Sequence, residues 1–169
     1  MRAYIGAGSN LGDRKAHLDG ALAGLSEQCP VRTSPIYETV PAGPVVDQPP
    51  FLNAVFEMDL GEHVGPRSLL DELLALERAA GRERRTPQGP RTLDLDLLFF
   101  GDQILEAEGL VLPHPRLHHR AFVLVPLADL APDLHHPVIG RTVRELLDDS
   151  ELEGAVIRRW DPMPDSATP

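Results

Sequence analysis

The segment from Gln88 to Gly101, Q-G-P-R-T-L-D-L-D-L-L-F-F-G, constrains the fold of this chain more than any other. Its second half reads as a β-strand, and a strand sends alternate side chains to opposite faces. Asp94 and Asp96 therefore share one face, while Leu93, Leu95, Leu97 and Phe99 point the other way. Leu98 and Phe100 break the alternation, so the far end of the strand is expected to be buried on both faces. The two aspartate Cα atoms should lie roughly 6.5–7 Å apart. Like charges that close repel unless something positive sits between them. A divalent cation meets that need, and hard carboxylate oxygens suit Mg²⁺. On the same logic, removing either carboxylate is expected to relieve repulsion in the metal-free protein.

A D-x-D pair alone is equally the solvated face of an amphipathic strand. The stretch before it separates the two readings. Residues 78 to 91 carry five arginines, Arg78, Arg82, Arg84, Arg85 and Arg91, without an apolar pattern, and read as a mobile loop. A charge run is commonly just a solvated face. Here it delivers guanidinium groups to the carboxylate strand, and phosphate is the ligand that seeks both a cation and arginine. The formal net charge of −10 argues against nonspecific binding to nucleic acid. Cys29 is the only cysteine, so no disulfide scaffold forms. There is no signal-peptide pattern and no apolar run approaching the ~20 residues of a membrane span. The expectation is a soluble cytoplasmic protein: one domain over residues 1–160, a flexible tail over 161–169, and a monomer.

In chain order, residues 2 to 8 read as a strand in which Gly6 and Gly8 leave the backbone bare for close approach. The Gly6-Ala7-Gly8 spacing fits neither a dinucleotide loop nor a Walker loop. Residues 14 to 26 carry leucines at helical spacing after a Ser-Asn-Leu-Gly-Asp turn. Residues 31 to 40 are β-prone, but Pro35 makes them an edge strand. A proline-rich loop spans 41 to 50. Residues 51 to 60 alternate cleanly: Leu52, Ala54, Phe56, Met58 and Leu60 form a core face, with Phe51 and Asn53 opposite. An aromatic beside an amide suits a flat heterocycle, and equally a strand end that covers the sheet. Residues 66 to 80 are the strongest helix; Glu77 lies on its apolar side, either reaching water at the stripe edge or serving a site. Residues 102 to 112 suggest a small hairpin. Three histidines and two arginines follow within residues 114 to 120; Pro115 spoils a helical zinc motif, so these read as phosphate contacts or surface cations. Residues 123 to 130 read as a buried helix or strand, and 142 to 147 as a short capped helix. The β-α-β-β-α-β order implies an α+β fold, with a ferredoxin-like core of antiparallel sheet and helices on one face, plus C-terminal additions.

G-P-R-T-L-D-L-D-L-L at 89–98 resembles the signature of the 6-hydroxymethyl-7,8-dihydropterin pyrophosphokinases of the folate pathway. So do G-A-G-S-N-L-G at 6–12, P-P-F-L-N-A at 49–54, L-E-R-A-A-G-R-E-R at 76–84 and P-H-P-R-L-H-H-R-A-F at 113–122. These blocks fall in the family's order and spacing across about residues 1 to 150. The resemblance implies pyrophosphoryl transfer from ATP to the pterin hydroxymethyl group, with release of AMP. It implies that Asp94 and Asp96 hold two Mg²⁺ ions and that Arg82, Arg84 and Arg91 neutralise phosphate charge. Glu77, His114 and Arg120 then contact the nucleotide. Phe51 and Phe122 sandwich the pterin, Asn53 bonds its edge, and the backbone of Thr39 to Gly43, Ala42 included, completes the pocket. Two features depart from the family pattern: Gln88 stands where an aromatic often precedes G-P-R, and the proline loop is one residue longer near Val45-Val46. The rival readings are a noncatalytic ferredoxin-like ligand-binding module and a metal-dependent phosphohydrolase.

Overall fold

The computed structural model describes residues 1–45, 47–82, 89–148 and 151–160. Arg84 and Gln88 of the expected mobile loop, Val46 of the proline loop, and the expected tail lie outside the described residues.

Strand β1 (Arg2–Ser9) leads into helix α1 (Arg14–Ser26), whose first turn is closed by Asp13 accepting from the Ala16 N–H at 3.0 Å. The strand expected over 31–40 is two pieces, β2 (Val31–Thr33) and β3 (Tyr37–Thr39). Pro35 has no N–H to give a ladder, and Ser34 closes the break by pairing with Val55 through both its backbone N–H and its Oγ. Strand β4 (Phe51–Asp59) and helix α2 (Pro66–Ala79) follow, the helix with proline in its first turn. Then come β5 (Asp94–Phe100) and a hairpin of β6 (Leu105–Ala107) and β7 (Leu110–Leu112). A 3₁₀ turn at Leu117–His119 leads to α3 (Ala121–Leu130) and to α4 (Val143–Leu147), which Thr142 and Glu145 cap reciprocally. The described chain ends in β8 (Val156–Arg159).

The sheet runs β5-β1-β4-β3-β8, with β2 also on β4, and every pairing is antiparallel. Strands β1 and β4 are therefore central. One face packs Ala3, Ile5, Phe56 and Met58 against Leu18 and Leu25 of α1 and Leu69 and Leu73 of α2. The other face, which a ferredoxin-like core leaves without helices, is closed along part of its length by α3 and α4, where Leu124, Leu127, Val143 and Leu146 cover Tyr4, Val55, Leu98 and Phe99, in line with the burial expected at the far end of β5.

Two sequence expectations need correction. Phe99 does not share the face of Leu95 and Leu97. The β1–β5 register shifts so that Ile5 meets Leu97 but Tyr4 meets Phe99, leaving Leu98 as the extra residue of a bulge. Beyond that bulge the faces exchange, and Phe99 joins the second cluster while Phe100 returns to the first. Strand β3 is not an edge, because β8 pairs with it. Four residues, V-I-R-R, mostly exposed, carry too little pattern to be read as a strand from sequence.

Candidate active site

The bare backbone of β1 is the floor of the site. Gly8 pairs with Asn53 of β4 on one side and with Asp94 of β5 on the other. Gly6, one pleat along, pairs with Asp96. Asn53, Gly8 and Asp94 thus form one row across three strands, which sets the amide and the first carboxylate roughly 10 Å apart. A Cβ on Gly8 would lie 2.7 Å from Asn53 Oδ1, so this position tolerates only glycine without moving the amide. Over this row opens a cleft of about 520 Å³.

At one end, Phe51, Asn53, Thr39, Ala42, Gly43 and Phe122 line the cleft. Asn53 is buried and its Nδ2 donates to Thr39 Oγ1 at 2.7 Å, which fixes the amide orientation. At the centre, Asp94 forms ion pairs with Arg82 at 2.6 Å and with Arg91 at 3.1 Å. Asp96 lies 3.7 Å from Arg120 and 3.9 Å from His114. The protein itself therefore supplies the positive charge that the aspartate pair requires. The guanidinium of Arg91 lies 5.6 Å from the Phe51 ring centre and that of Arg120 lies 5.4 Å from Phe122, so each aromatic is braced by a cation of the central site.

The two carboxylates are not equivalent. Burial at the base of the cleft, and then the charge of Asp94, push the Asp96 carboxyl up to about 6, although Arg120 and Arg91 oppose the shift. Its side chain, 37% exposed, lines the cleft. His114 is moved the other way: burial and the neighbouring Arg120 and Arg116 bring its imidazole down to about 4. It is neutral at pH 7, so its approach to Asp96 is no ion pair. Its Nδ1 accepts from the Arg116 N–H at 3.2 Å, which places the proton on Nε2, the atom facing Asp96. His114 is a neutral donor aimed into the cleft.

Glu77, on the apolar side of α2, is a buried part of the site rather than a water-reaching stripe edge. Its Oε1 accepts from the Leu95 N–H on the outer edge of β5 at 2.8 Å and from Arg82. It anchors both the carboxylate strand and the arginine that reaches Asp94. His118 and His119 do not line the cleft: their rings lie tilted against each other, centroids 3.9 Å apart, and His118 meets His136 edge-on. Among the described residues no group of three or more histidines, cysteines or acidic residues is arranged to hold a metal.

Sequence reasoning missed several participants. Asn10, taken as part of a turn, is buried and clamps two loops: its Oδ1 accepts from the Arg91 N–H at 2.8 Å, and its Nδ2 donates to Gln48 and to the Pro49 carbonyl. Its place in the G-A-G-S-N-L-G block is the one signal that marks it. Leu70, Leu74 and Arg67 of α2, with Glu153, also line the cleft, and no pattern in the sequence sets them apart; Arg116, from the basic cluster read as phosphate contacts or surface cations, lines it too.

Comparison with known proteins bears on this arrangement directly. Residues 4–132 match the family model described as 7,8-dihydro-6-hydroxymethylpterin-pyrophosphokinase. The 2-amino-4-hydroxy-6-hydroxymethyldihydropteridine pyrophosphokinase of Pseudomonas aeruginosa is 46% identical over 157 residues, covering 91% of this chain and 94% of the relative. The protein of the same name from Methylorubrum extorquens is 45% identical over 161 residues, covering 94% and 98%. Among solved structures, wild-type Plasmodium falciparum HPPK-DHPS aligns with a TM-score of 0.65 at 17% identity, covering 87% of this chain and 44% of that one. That likeness speaks to the fold, an antiparallel sheet with helices. The family match spans most of the chain and includes the strand that carries both aspartates, the glycine floor and the Phe51–Asn53 segment, and on that ground this chain belongs to the 7,8-dihydro-6-hydroxymethylpterin-pyrophosphokinase family.

Proposed function

We propose that this chain transfers the pyrophosphoryl group of ATP to the hydroxymethyl oxygen of 6-hydroxymethyl-7,8-dihydropterin, releasing AMP, in folate biosynthesis. The observation that carries the reading is one continuous cleft in which an aromatic–amide slot adjoins a carboxylate pair ringed by cations. The pterin lies between Phe51 and Phe122, and Asn53, held by Thr39, reads its edge beside the Ala42–Gly43 backbone. The triphosphate lies along Arg82, Arg91, Arg120 and His114, and the nucleoside extends toward Glu77 and the leucines of α2; Arg84 belongs to the same cationic set by sequence. The pterin oxygen attacks the β-phosphorus, the bond to the oxygen shared with the α-phosphorus breaks, and AMP departs with that electron pair. Such transfers depend on positioning and charge neutralisation more than on a covalent nucleophile. We assign the hydroxyl proton to Asp96, the carboxylate beside Arg120 and His114.

The donor set fits magnesium. Two carboxylates on one strand face are what Mg²⁺ uses when phosphates and waters complete its shell. Asp94 and Asp96 would hold two such ions, which when bound neutralise charge on the transferred group. The strand order, with β2 and β3 counted as one interrupted strand, supports a ferredoxin-like β-α-β-β-α-β core with α3, α4 and β8 as C-terminal additions. We take residues 1–160 as one monomeric, cytoplasmic domain that engages neither nucleic acid nor membrane. No helix among the described residues is long and apolar enough to cross a membrane.

Incubation with ATP, Mg²⁺ and the reduced pterin tests the function. AMP release that requires pterin is the expected result. Phosphate release without pterin would mark a hydrolase instead, and no turnover would leave a binding module.

The Asp96 environment carries its own prediction. An unfolded aspartate ionises near 3.9, whereas the folded carboxyl holds its proton up to about 6. Between these values the native state binds the extra proton, so the group's stabilising contribution is complete at acid pH and is lost as pH rises through about 6. In EDTA, wild type should therefore lose stability relative to Asp96→Asn across this window, the gap levelling off above it. Parallel stability curves in urea titrations from pH 4 to pH 7 would show that the carboxyl is not perturbed.

A further inference from the structure

Nothing in the sequence ties the segment around Gly154 to the site, yet it braces one wall of the aromatic slot. The Glu153 N–H donates to the His119 carbonyl at 2.7 Å, and the Glu153 carbonyl accepts from the Ala121 N–H at 2.8 Å. Two residues later, the Ala155 carbonyl accepts from the Val40 N–H at 3.0 Å. The strap is thus tied on one side to the turn that presents Arg120 and Phe122, and on the other to the Thr39–Gly43 wall. Gly154 sits between these ties with φ +71°, in the left-handed region. A Cβ built there would fall 2.4 Å from Phe122 Cδ1, 3.0 Å from Phe122 Cε1 and 3.3 Å from Ala42 Cβ. Phe122 lines the cleft and Gly154 does not, and the notional Cβ meets the Cδ1–Cε1 edge of the ring.

We infer that Gly154 is a positioning residue for pterin recognition: its bare backbone lets the Phe122 ring lie back against the strap and so sets the width of the slot. This rests on the reading of Phe122 as one face of the pterin sandwich. Any side chain at 154 must drive the ring roughly 1 Å to restore ordinary carbon–carbon contact. The strap blocks one direction and the cleft is the open space beside the ring, so the ring moves into the volume the pterin occupies. The nucleotide end of the cleft is built on α2 and β5, away from the strap, and meets the ring only through Arg120, whose guanidinium lies 5.4 Å from the Phe122 centre.

The test compares Gly154→Ala with Gly140→Ala. Gly140 has a similar φ of +75° but nothing within 4 Å of its notional Cβ, so it reports backbone strain alone. Pterin and ATP are titrated separately. Gly154→Ala should weaken pterin binding by about tenfold or more, since misplacement of about 1 Å has effects of that order. ATP affinity should fall by less than pterin affinity, through Arg120 alone, and Gly140→Ala should leave both unchanged. Phe122→Ala should itself weaken pterin binding, and adding Gly154→Ala to it should bring no further loss, because no ring remains to displace. If Phe122→Ala binds pterin as wild type does, the sandwich is wrong. If Phe122→Ala weakens binding but Gly154→Ala matches Gly140→Ala, the sandwich stands and the role given to Gly154 falls. Should Gly154→Ala not fold, the double variant Gly154→Ala/Phe122→Ala decides. Alanine has no atom beyond Cβ to meet the new methyl, so recovered folding supports the inference and continued failure overturns it.

Discussion

Asp94→Ala and Asp96→Ala should each lose several orders of magnitude in turnover, on the order of 3–5 kcal/mol of barrier per lost carboxylate. Each variant removes one of the two groups proposed to hold magnesium against the transferred phosphates. Pterin affinity should persist in both, because the slot around Phe51, Asn53 and Phe122 uses neither carboxylate. The variants should differ in stability, and here the structure revises the expectation drawn from like-charge repulsion alone. Asp96 sits with a raised pKa, 3.7 Å or more from its cationic neighbours, so its loss should leave the metal-free protein as stable as before or slightly more so. Asp94 closes ion pairs with Arg82 and Arg91, both largely sheltered; its removal takes this carboxylate from Arg91 and leaves Arg82 to Glu77. Asp94→Ala should therefore be the less stable of the two in urea titration without metal. Full activity in either variant, or wild-type turnover independent of Mg²⁺, would overturn the metal assignment and the mechanism built on it.

Glu77→Ala should cost about 3–5 kcal/mol of folding stability, the range for breaking a buried charged pair from one side. The side chain is 3% exposed, and it satisfies the Leu95 N–H on the open edge of β5 while pairing with Arg82. Alanine leaves that N–H without its carboxylate acceptor and releases the arginine. Glu77→Gln retains an acceptor for Leu95 and loses only the charge, so it should cost about 1–2 kcal/mol. Its turnover should nonetheless fall, because Arg82 is no longer held beside Asp94. Equal stability of Glu77→Ala and wild type in thermal and urea unfolding would show that the edge of β5 needs no such anchor.

Much of the site was legible because its parts are local. The D-L-D alternation places two carboxylates on one face whatever the strand packs against. Phe51 and Asn53 share a face for the same reason, and an arginine three residues before a strand aspartate cannot lie far from it. Glu77 stood at the margin of such reasoning: periodicity placed it on the apolar side, but only the packing of α2 against β5 showed which backbone donor it meets.

What the sequence by itself determined is the set of elements and the side chains each presents, since strand and helix periods follow from backbone geometry and need no partner. It thereby determined the two carboxylates, the glycine floor, the slot residues and, through its motif blocks, the family. Tertiary structure decided what depends on contacts between distant segments. The bulge at Leu98 turns Phe99 to the other face through a register shift against β1, which no local pattern encodes. Strand β8 exists because β3 offers it a ladder, and the strap before it brings Gly154 against Phe122, 32 positions away in the chain. The raised pKa of Asp96 is of the same kind: the two aspartates occupy like places on one strand, but Arg82 and Arg91 reach Asp94 closely, while burial and that neighbour's charge dominate at Asp96.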